Sequence, residues 1–172
     1  MEEIEIAWRA DLLSADWAAL YAEHAAPLVG FLSKLTGDRE VASELMQETF
    51  VRAIRGGERT DIRSARAWLF RIAANLARDH HRRRRLLRFV PFSGREPDPS
   101  SLHDPDAELV HRALRALPAA QSTTLLLHYD SGFSRREIAQ MEGISEEAVK
   151  SRLARGRESF VRAFERIGGD LS

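Results

Sequence analysis

A stretch rich in proline divides the chain into two parts and is the feature that most limits how the chain can fold. Four of the 17 residues from 90 to 106 are prolines, and glycine, serines and aspartates supply much of the rest, a composition typical of linkers. At about 3.3 Å per residue, such a segment spans at most roughly 56 Å. We therefore predict two small domains, at residues 15–89 and 107–168, joined by a flexible linker at 90–106.

Apolar side chains on both sides of this linker recur at helical spacing, and no alternating β pattern competes with them. The clearest stripe has the spacing i, i+4, i+7, i+11 and consists of Ala65, Leu69, Ile72 and Leu76. Two further helices are predicted before it, with apolar sides formed by Tyr21, Leu28, Phe31, Leu32 and Leu35 in the first and by Val41, Leu45, Phe50 and Ile54 in the second. Gly37 is expected to end the first and Asp38 to cap the second. The predicted fold class is all-α, with two small helical domains.

The charges sum to zero over the chain, but the basic residues are concentrated. Residues 61–95 carry 10 basic and 2 acidic side chains, whereas residues 1–60 carry 6 basic and 11 acidic ones. A polyanionic partner is therefore predicted for the basic block. The absence of cysteine excludes disulfides and Cys-containing zinc sites. The acidic N-terminus and the lack of a long apolar run argue against a signal peptide and a membrane span, so we expect a cytoplasmic protein.

Residues 134–160 have the pattern of a DNA-binding helix-turn-helix. Ser134 and Glu137 are spaced as a capping box, Gly143 permits the left-handed backbone of a tight turn, and Ser145 can cap the next helix. That helix would bury Val149, Leu153, Gly156 and Phe160 and would present Glu147, Ser151, Ala154 and Arg155 on its opposite side, with Lys150 and Arg157 at one edge and Arg152 at the other. Such an outward face suits the major groove of DNA. The alternative is a helical hairpin whose charged face is merely solvated.

The helix with the clearest apolar stripe ends in a strongly basic block, with five arginines among residues 78–85. One or two would complement the negative end of the helix dipole. The excess predicts a phosphate-binding surface, and Trp68, Phe70 and Asn75 nearby offer stacking and hydrogen-bonding groups of the kind that bind single strands. Another polyanion or an acidic protein is the alternative partner.

Three segments together resemble bacterial sigma factors. Residues 20–53 and 67–80 resemble the helical region 2, including its promoter-melting part, and residues 114–160 resemble region 4. The order of the segments, the short chain and the lack of an intervening region 3 are similar to the extracytoplasmic function (ECF) group. The resemblance implies a subunit that directs RNA polymerase to promoters, that has no catalytic chemistry or cofactor of its own, and that an anti-sigma factor holds inactive.

The resemblance also implies which residues contact each partner. The clamp helices of core RNA polymerase would bind Glu44, Leu45, Gln47, Glu48 and Phe50, while region 4 would contact the flap. The non-template strand of the −10 element would bind Asn75, Arg78, Asp79, His80, Arg82 and Arg83, and the loop at residues 59–66 would hold a flipped base. The −35 element would bind Arg135, Arg136, Glu147, Lys150, Ser151, Arg152 and Arg155.

Three other functions compete with this one. A free-standing DNA-binding regulator would explain the helix-turn-helix but not residues 38–85. An enzyme acting on nucleic acid would need a metal cluster, an activated nucleophile or a carboxylate pair, and none stands out in the sequence. His80 and His81 are adjacent on a predicted helix and point about 100° apart, so they predict no metal site. A pure interaction protein, such as a decoy for a regulator, is the third.

Overall fold

A computed structural model describes residues 17–56, 64–87 and 105–168. These residues form seven helices and no strand, which confirms the all-α prediction. The helices are α1 (Trp17–Thr36), α2 (Arg39–Ile54), α3 (Ala65–Leu87), α4 (Pro105–Ala116), α5 (Ala119–Leu125), α6 (Arg135–Glu142) and α7 (Glu146–Arg166). Most of the predicted linker at 90–106 and of the loop at 59–66 lies outside the described residues, as does the N-terminus.

The predicted boundary between α1 and α2 is confirmed. Gly37 has a left-handed backbone with φ of 73° and ends α1. Asp38 then caps α2, because its Oδ1 accepts hydrogen bonds from the backbone N–H groups of Glu40 at 2.9 Å and Val41 at 3.1 Å. The two helices are thereby set as neighbours, and α3 packs against both of them to form a three-helix domain.

The core of this domain follows the predicted stripes with two exceptions. Leu28, Phe31 and Leu32 are buried, but Tyr21 is 45% exposed and Ile54 is 56% exposed. The buried face of α2 consists of Ala42, Met46, Thr49, Phe50 and Ala53. The prediction that Ile54 lies on the buried side is wrong: Ile54 is the last residue of α2, about 100° round the helix from the buried Ala53, and its side chain is mostly exposed.

The second domain consists of α4 to α7. After Leu125, helix α5 widens into a π-helical turn over Leu126–Asp130 and then stops. Gly156 on α7 lies so close to Leu125 that a Cβ at this position would come within 3.2 Å of its Cγ. The close approach explains why the inward stripe of α7 carries a glycine between larger apolar residues.

The two domains pack against each other in this structure. Phe70 on α3 lies between Phe31 of the first domain and Phe133 of the second, with ring centroids 5.3 and 5.2 Å away. The guanidinium carbon of Arg66 lies 4.1 Å from the centroid of the Phe133 ring. On the other side, the side chain of Arg115 lies directly against Gly37. One apolar core therefore runs through both domains.

Candidate nucleic-acid interface

The turn between α6 and α7 has the predicted helix-turn-helix geometry. Ser134 Oγ accepts a hydrogen bond from the backbone N–H of Glu137 at 3.2 Å, and Glu137 Oε2 accepts one from the backbone N–H of Ser134 at 2.8 Å. Gly143 is left-handed with φ of 65°, and Ser145 caps α7 through the N–H of Ala148 at 3.1 Å. The capping box and both turn residues are therefore confirmed.

The outward face of α7 is exposed as predicted, except that Ala154 is only partly exposed. Six of the seven residues assigned to the −35 element are exposed, namely Arg135, Arg136, Glu147, Lys150, Ser151 and Arg155. Among them, Lys150 Nζ lies 3.4 Å from Glu147 Oε1. Arg152 is only partly exposed, because its Nη1 donates to Glu142 Oε2 at 3.3 Å. Phe160, expected to face inward, is partly buried against the core.

A basic pocket of about 650 Å³ opens between the end of α2 and the outer side of α3. Asn75, Arg78, Asp79 and Arg82, four of the residues assigned to the −10 element, line it beside Trp68. Arg78 is fixed within it, since its Nη2 donates to Asn75 Oδ1 at 2.7 Å. Pockets of this size accept ligands as large as a nucleotide.

Sequence reasoning missed three arginines of this pocket, namely Arg52, Arg55 and Arg71. A signal for Arg71 was present, because residues 71, 75, 78 and 82 have the spacing i, i+4, i+7, i+11 and form a polar stripe on α3. Arg52 and Arg55 line the pocket only because the end of α2 packs beside α3, and no local sequence pattern predicts this packing.

Two residues assigned to the −10 element lie outside this pocket. Arg83 is exposed on the last turns of α3. His80 is half-buried, and its Nε2 atom is buried without a hydrogen-bond partner among the described residues. The pocket therefore brings together four of the six assigned residues.

The outer face of α2 carries acidic and apolar side chains. Glu44 and Gln47 are exposed, Glu48 is partly exposed and pairs with Arg52 at 2.8 Å, and Val51 is 37% exposed. Phe50 differs from the other residues assigned to polymerase binding, because it is buried and its ring packs 5.0 Å from that of Tyr21. Its side chain supports this face from beneath and is not available for a direct contact.

Two family profiles match the chain over most of its length. Residues 20–86 match sigma-70 region 2, and residues 107–160 match sigma-70 region 4. The sigma factor SigL of Mycobacterium tuberculosis, an ECF RNA polymerase sigma factor, is 37% identical over 143 residues, which cover 78% of this chain and 81% of SigL. The sigma factor CarQ of Myxococcus xanthus is 33% identical over 149 residues, which cover 82% of this chain and 84% of CarQ.

The chain belongs to the ECF group of sigma factors. As a sigma factor, it binds core RNA polymerase and directs promoter recognition and the initiation of transcription.

Two solved structures share its fold. CnrH, in complex with the cytosolic domain of CnrY, matches with a TM-score of 0.68 at 26% identity over 91% of this chain and 94% of CnrH. RpoE of Bartonella quintana, in complex with the anti-sigma factor NepR, matches with a TM-score of 0.69 at 24% identity over 87% of this chain and 97% of RpoE. Both support the fold described above.

Two absences concern only the part of the chain that the structure describes. No helix within residues 17–56, 64–87 and 105–168 combines the length and apolarity that crossing a membrane requires. No group of three metal-ligating side chains converges within those ranges.

Two half-buried histidines of the ECF sigma factor have a lowered pKa. Burial lowers the pKa of His80 below 6.5, Arg84, His81 and Arg83 add to this, and Asp38 opposes it. Burial also lowers the pKa of His111 below 6.5, Arg115 and Lys34 add to this, and Glu108 and Asp130 oppose it. Because both groups bind protons more weakly in the folded state, protonation favours the unfolded state.

We therefore expect the free energy of unfolding to keep its full value at pH values above the ordinary histidine pKa. It should fall as the pH drops below that pKa toward the lowered pKa of the two histidines in the folded protein. The melting temperature, followed by circular dichroism at constant ionic strength, should be lower at about pH 5.5 than at about pH 7.5. The double variant His80→Gln/His111→Gln should show a smaller decrease over this interval. An unchanged decrease in the double variant would show that other groups cause it.

Proposed function

We propose that this ECF sigma factor melts and holds the −10 element with α3, recognises the −35 element with α7, and docks on core polymerase with α2. The observation that carries the proposal is the basic pocket on α3, which five arginines line together with Trp68 and Asn75; the arginines are Arg52, Arg55, Arg71, Arg78 and Arg82. The protein would work in the cytoplasm, at the nucleoid, as an initiation subunit with no catalytic step of its own.

The chemistry of the α3 pocket suits an unpaired strand. Guanidinium groups bind backbone phosphates, and a recess between helices can receive a base that has left the duplex. Duplex DNA keeps its bases stacked and therefore gains little from such a recess. Preference for the unpaired strand is what a protein needs to stabilise an opened promoter.

The chemistry of α7 suits a duplex. Its cap at Ser145 begins the helix directly after the turn, and its first residues, Glu146 and Glu147, are exposed. Arg155 and Lys150 can reach phosphates or guanine, and Glu147 can accept a hydrogen bond from the amino group of cytosine. We assign the −35 element to this face.

The polymerase-docking face is assigned to the outer side of α2. Glu44, Gln47, Glu48 and Val51 all lie within about 50° of one line along the helix. Val51 adds exposed apolar area at the centre of this face, and Glu48 adds charge to it. The clamp helices of core polymerase would bind this face, and the second domain would contact the flap.

Control by an anti-sigma factor is part of the proposal. It is supported by the similarity to CnrH, whose structure contains the cytosolic domain of CnrY. Affinity purification of the protein from uninduced native cells should recover an inhibitory protein that prevents polymerase binding. Recovery of polymerase subunits alone from such cells would contradict this part.

Transcription in vitro tests the function as a whole. Core polymerase from the native organism is incubated with its fragmented genomic DNA, with and without the protein, and the 5′ ends of the transcripts are sequenced. We expect a set of start sites that requires the protein and shares two upstream elements. Duplex binding by the protein alone, without any such transcripts, would instead support a free-standing regulator.

Reversing one charge on α2 tests the docking face. Glu48→Lys removes the pair with Arg52 and places a cation on the acidic face, so we expect core polymerase to bind at least about tenfold more weakly. Glu23→Lys on exposed α1 makes the same charge change outside this face and should leave the affinity within about twofold. Equal affinity of the Glu48→Lys variant and the unmodified protein, measured by fluorescence anisotropy, would show that α2 is not the docking face.

A further inference from the structure

The carboxylate of Glu142, at the end of α6, joins the two domains. Its side chain is only 2% exposed. Arg78 of the first domain donates to it twice, from Nη1 to Oε2 at 2.8 Å and from Nη2 to Oε1 at 3.0 Å. Arg152 of the second domain donates to Oε2 at 3.3 Å. One buried carboxylate is therefore bound by arginines of both domains.

These two arginines belong to the two surfaces assigned to promoter DNA. Arg78 lines the basic pocket on α3, and Arg152 lies at the edge of the exposed face of α7. The paired hydrogen bonds from Arg78 have the geometry with which arginine also binds a phosphate. In the packed arrangement, the Glu142 carboxylate thus occupies donors that DNA phosphates would use.

Further contacts hold the domains together around this carboxylate. Arg66 stacks on Phe133 and donates a hydrogen bond to the carbonyl oxygen of Ser131. Lys34 on α1 pairs with Asp130 on the second domain. Opening of the domains must break the buried contact between Phe70 and Phe133 together with these charged contacts, so loss of any one of them weakens the closed state.

We propose that Glu142 is an intramolecular phosphate mimic that latches the free protein in a closed state. This inference rests on the proposed function. In the closed state, Arg78 of the α3 pocket is bound to the second domain and the two DNA surfaces are held together, so they cannot bind separate elements of one promoter. DNA phosphates compete with Glu142 for Arg78 and Arg152, and their binding favours the open state.

The latch can be tested without polymerase or a promoter. The chain has no cysteine, so spin labels can be placed specifically at Ala26→Cys and Glu165→Cys, which are exposed and lie in different domains. Double electron–electron resonance should give one narrow distance distribution for the protein with wild-type Glu142. Glu142→Gln keeps the shape but loses the charge, and it should shift the distribution to longer and broader distances. Circular dichroism confirms that each variant is folded.

Glu146→Gln is the matched control for the lost charge. Glu146 is exposed in the first turn of α7, four residues from Glu142, and no contact joins it to the first domain among the described residues. Its distance distribution should equal that of the unmodified protein. Arg66→Gln removes a different contact between the domains and should lengthen the distances as Glu142→Gln does.

The affinity for a mixed-sequence 30-base-pair duplex, measured at low salt, distinguishes two effects of Glu142→Gln. One is opening of the domains, and the other is the loss of one negative charge. Glu142→Gln should bind roughly tenfold more tightly than the unmodified protein, because the competent open fraction rises, and Glu146→Gln should stay within about twofold. A distance distribution that Glu142→Gln leaves unchanged overturns the latch. If Glu142→Gln opens the domains but binds the duplex no more tightly than Glu146→Gln does, Glu142 does not compete with DNA phosphates. Both results can be read even if no transcript depends on the protein, so they are independent of the test of the proposed function.

Discussion

Replacing Arg155 by glutamate is expected to abolish transcription from promoters that require the protein, while its binding to core polymerase persists. Arg155 is exposed on the outward face of α7, and no ion pair or hydrogen bond involves it among the described residues. Loss of a bidentate contact costs about 1–3 kcal/mol, and the new negative charge adds repulsion from phosphates, so promoter affinity should fall about 100-fold or more. Transcript yield and fluorescence anisotropy with core polymerase measure the two effects.

The comparison variant is Arg162→Glu, which makes the same charge change on the same helix. Arg162 is exposed and lies seven residues further on, so about 10 Å along the axis from Arg155. We expect it to change promoter-dependent transcription by about twofold at most. Similar losses in both variants would mean that net charge, and not the N-terminal half of the outward face of α7, determines recognition. Arg152 is less suitable for this test because its substitution would also remove a contact with Glu142.

The second large effect concerns stability, at the aromatic contact between the domains. Phe70 is 1% exposed and lies between Phe31 and Phe133. Phe70→Ala should lower the free energy of unfolding by about 3–5 kcal/mol, since it removes a buried ring and leaves a cavity. For a chain of this size, that corresponds to a fall in melting temperature of roughly 10 °C. Urea denaturation and calorimetry measure both quantities.

Phe160→Ala is the control for loss of a ring alone. Phe160 is partly buried and stacks on Phe164 within α7, with ring centroids 5.6 Å apart. Its removal should cost less than half as much, because part of its surface already faces solvent. If the two variants are equally destabilised, the packing of Phe70 between Phe31 and Phe133 adds no stability beyond that of a partly buried ring.

The helices were predictable from the sequence because their signals are local. The Asp38 cap, the Ser134–Glu137 capping box and the left-handed Gly143 each depend on residues within one turn. The exposure of Ile54 was not predictable in the same way, since an apolar side chain at the end of a helix is buried only if another element covers it. The packing of the domains through Phe70 likewise depends on contacts between residues far apart in the chain.

The candidate site was predicted in part for the same reason. Asn75, Arg78, Asp79 and Arg82 lie on one helix, and their spacing already places them together. Arg52 and Arg55 reach the same pocket from another helix, and their contribution depends on tertiary packing. The role of Glu142 was not visible at all, because an isolated glutamate at a helix end gives no sign that it will meet arginines from both domains.

If α3 holds the −10 element as proposed, its unbroken length fixes the distance between two contacts with promoter DNA. Its 23 residues hold the pocket and the arginines of its exposed last turns in one rigid piece. From Arg71 to Arg85 the helix rises about 21 Å, which equals roughly six base-pair steps of DNA. Inserting a single residue between them would turn the terminal arginines by about 100° relative to the pocket. The helix would therefore fix both the distance between the two contacts and the side of the DNA on which each is made.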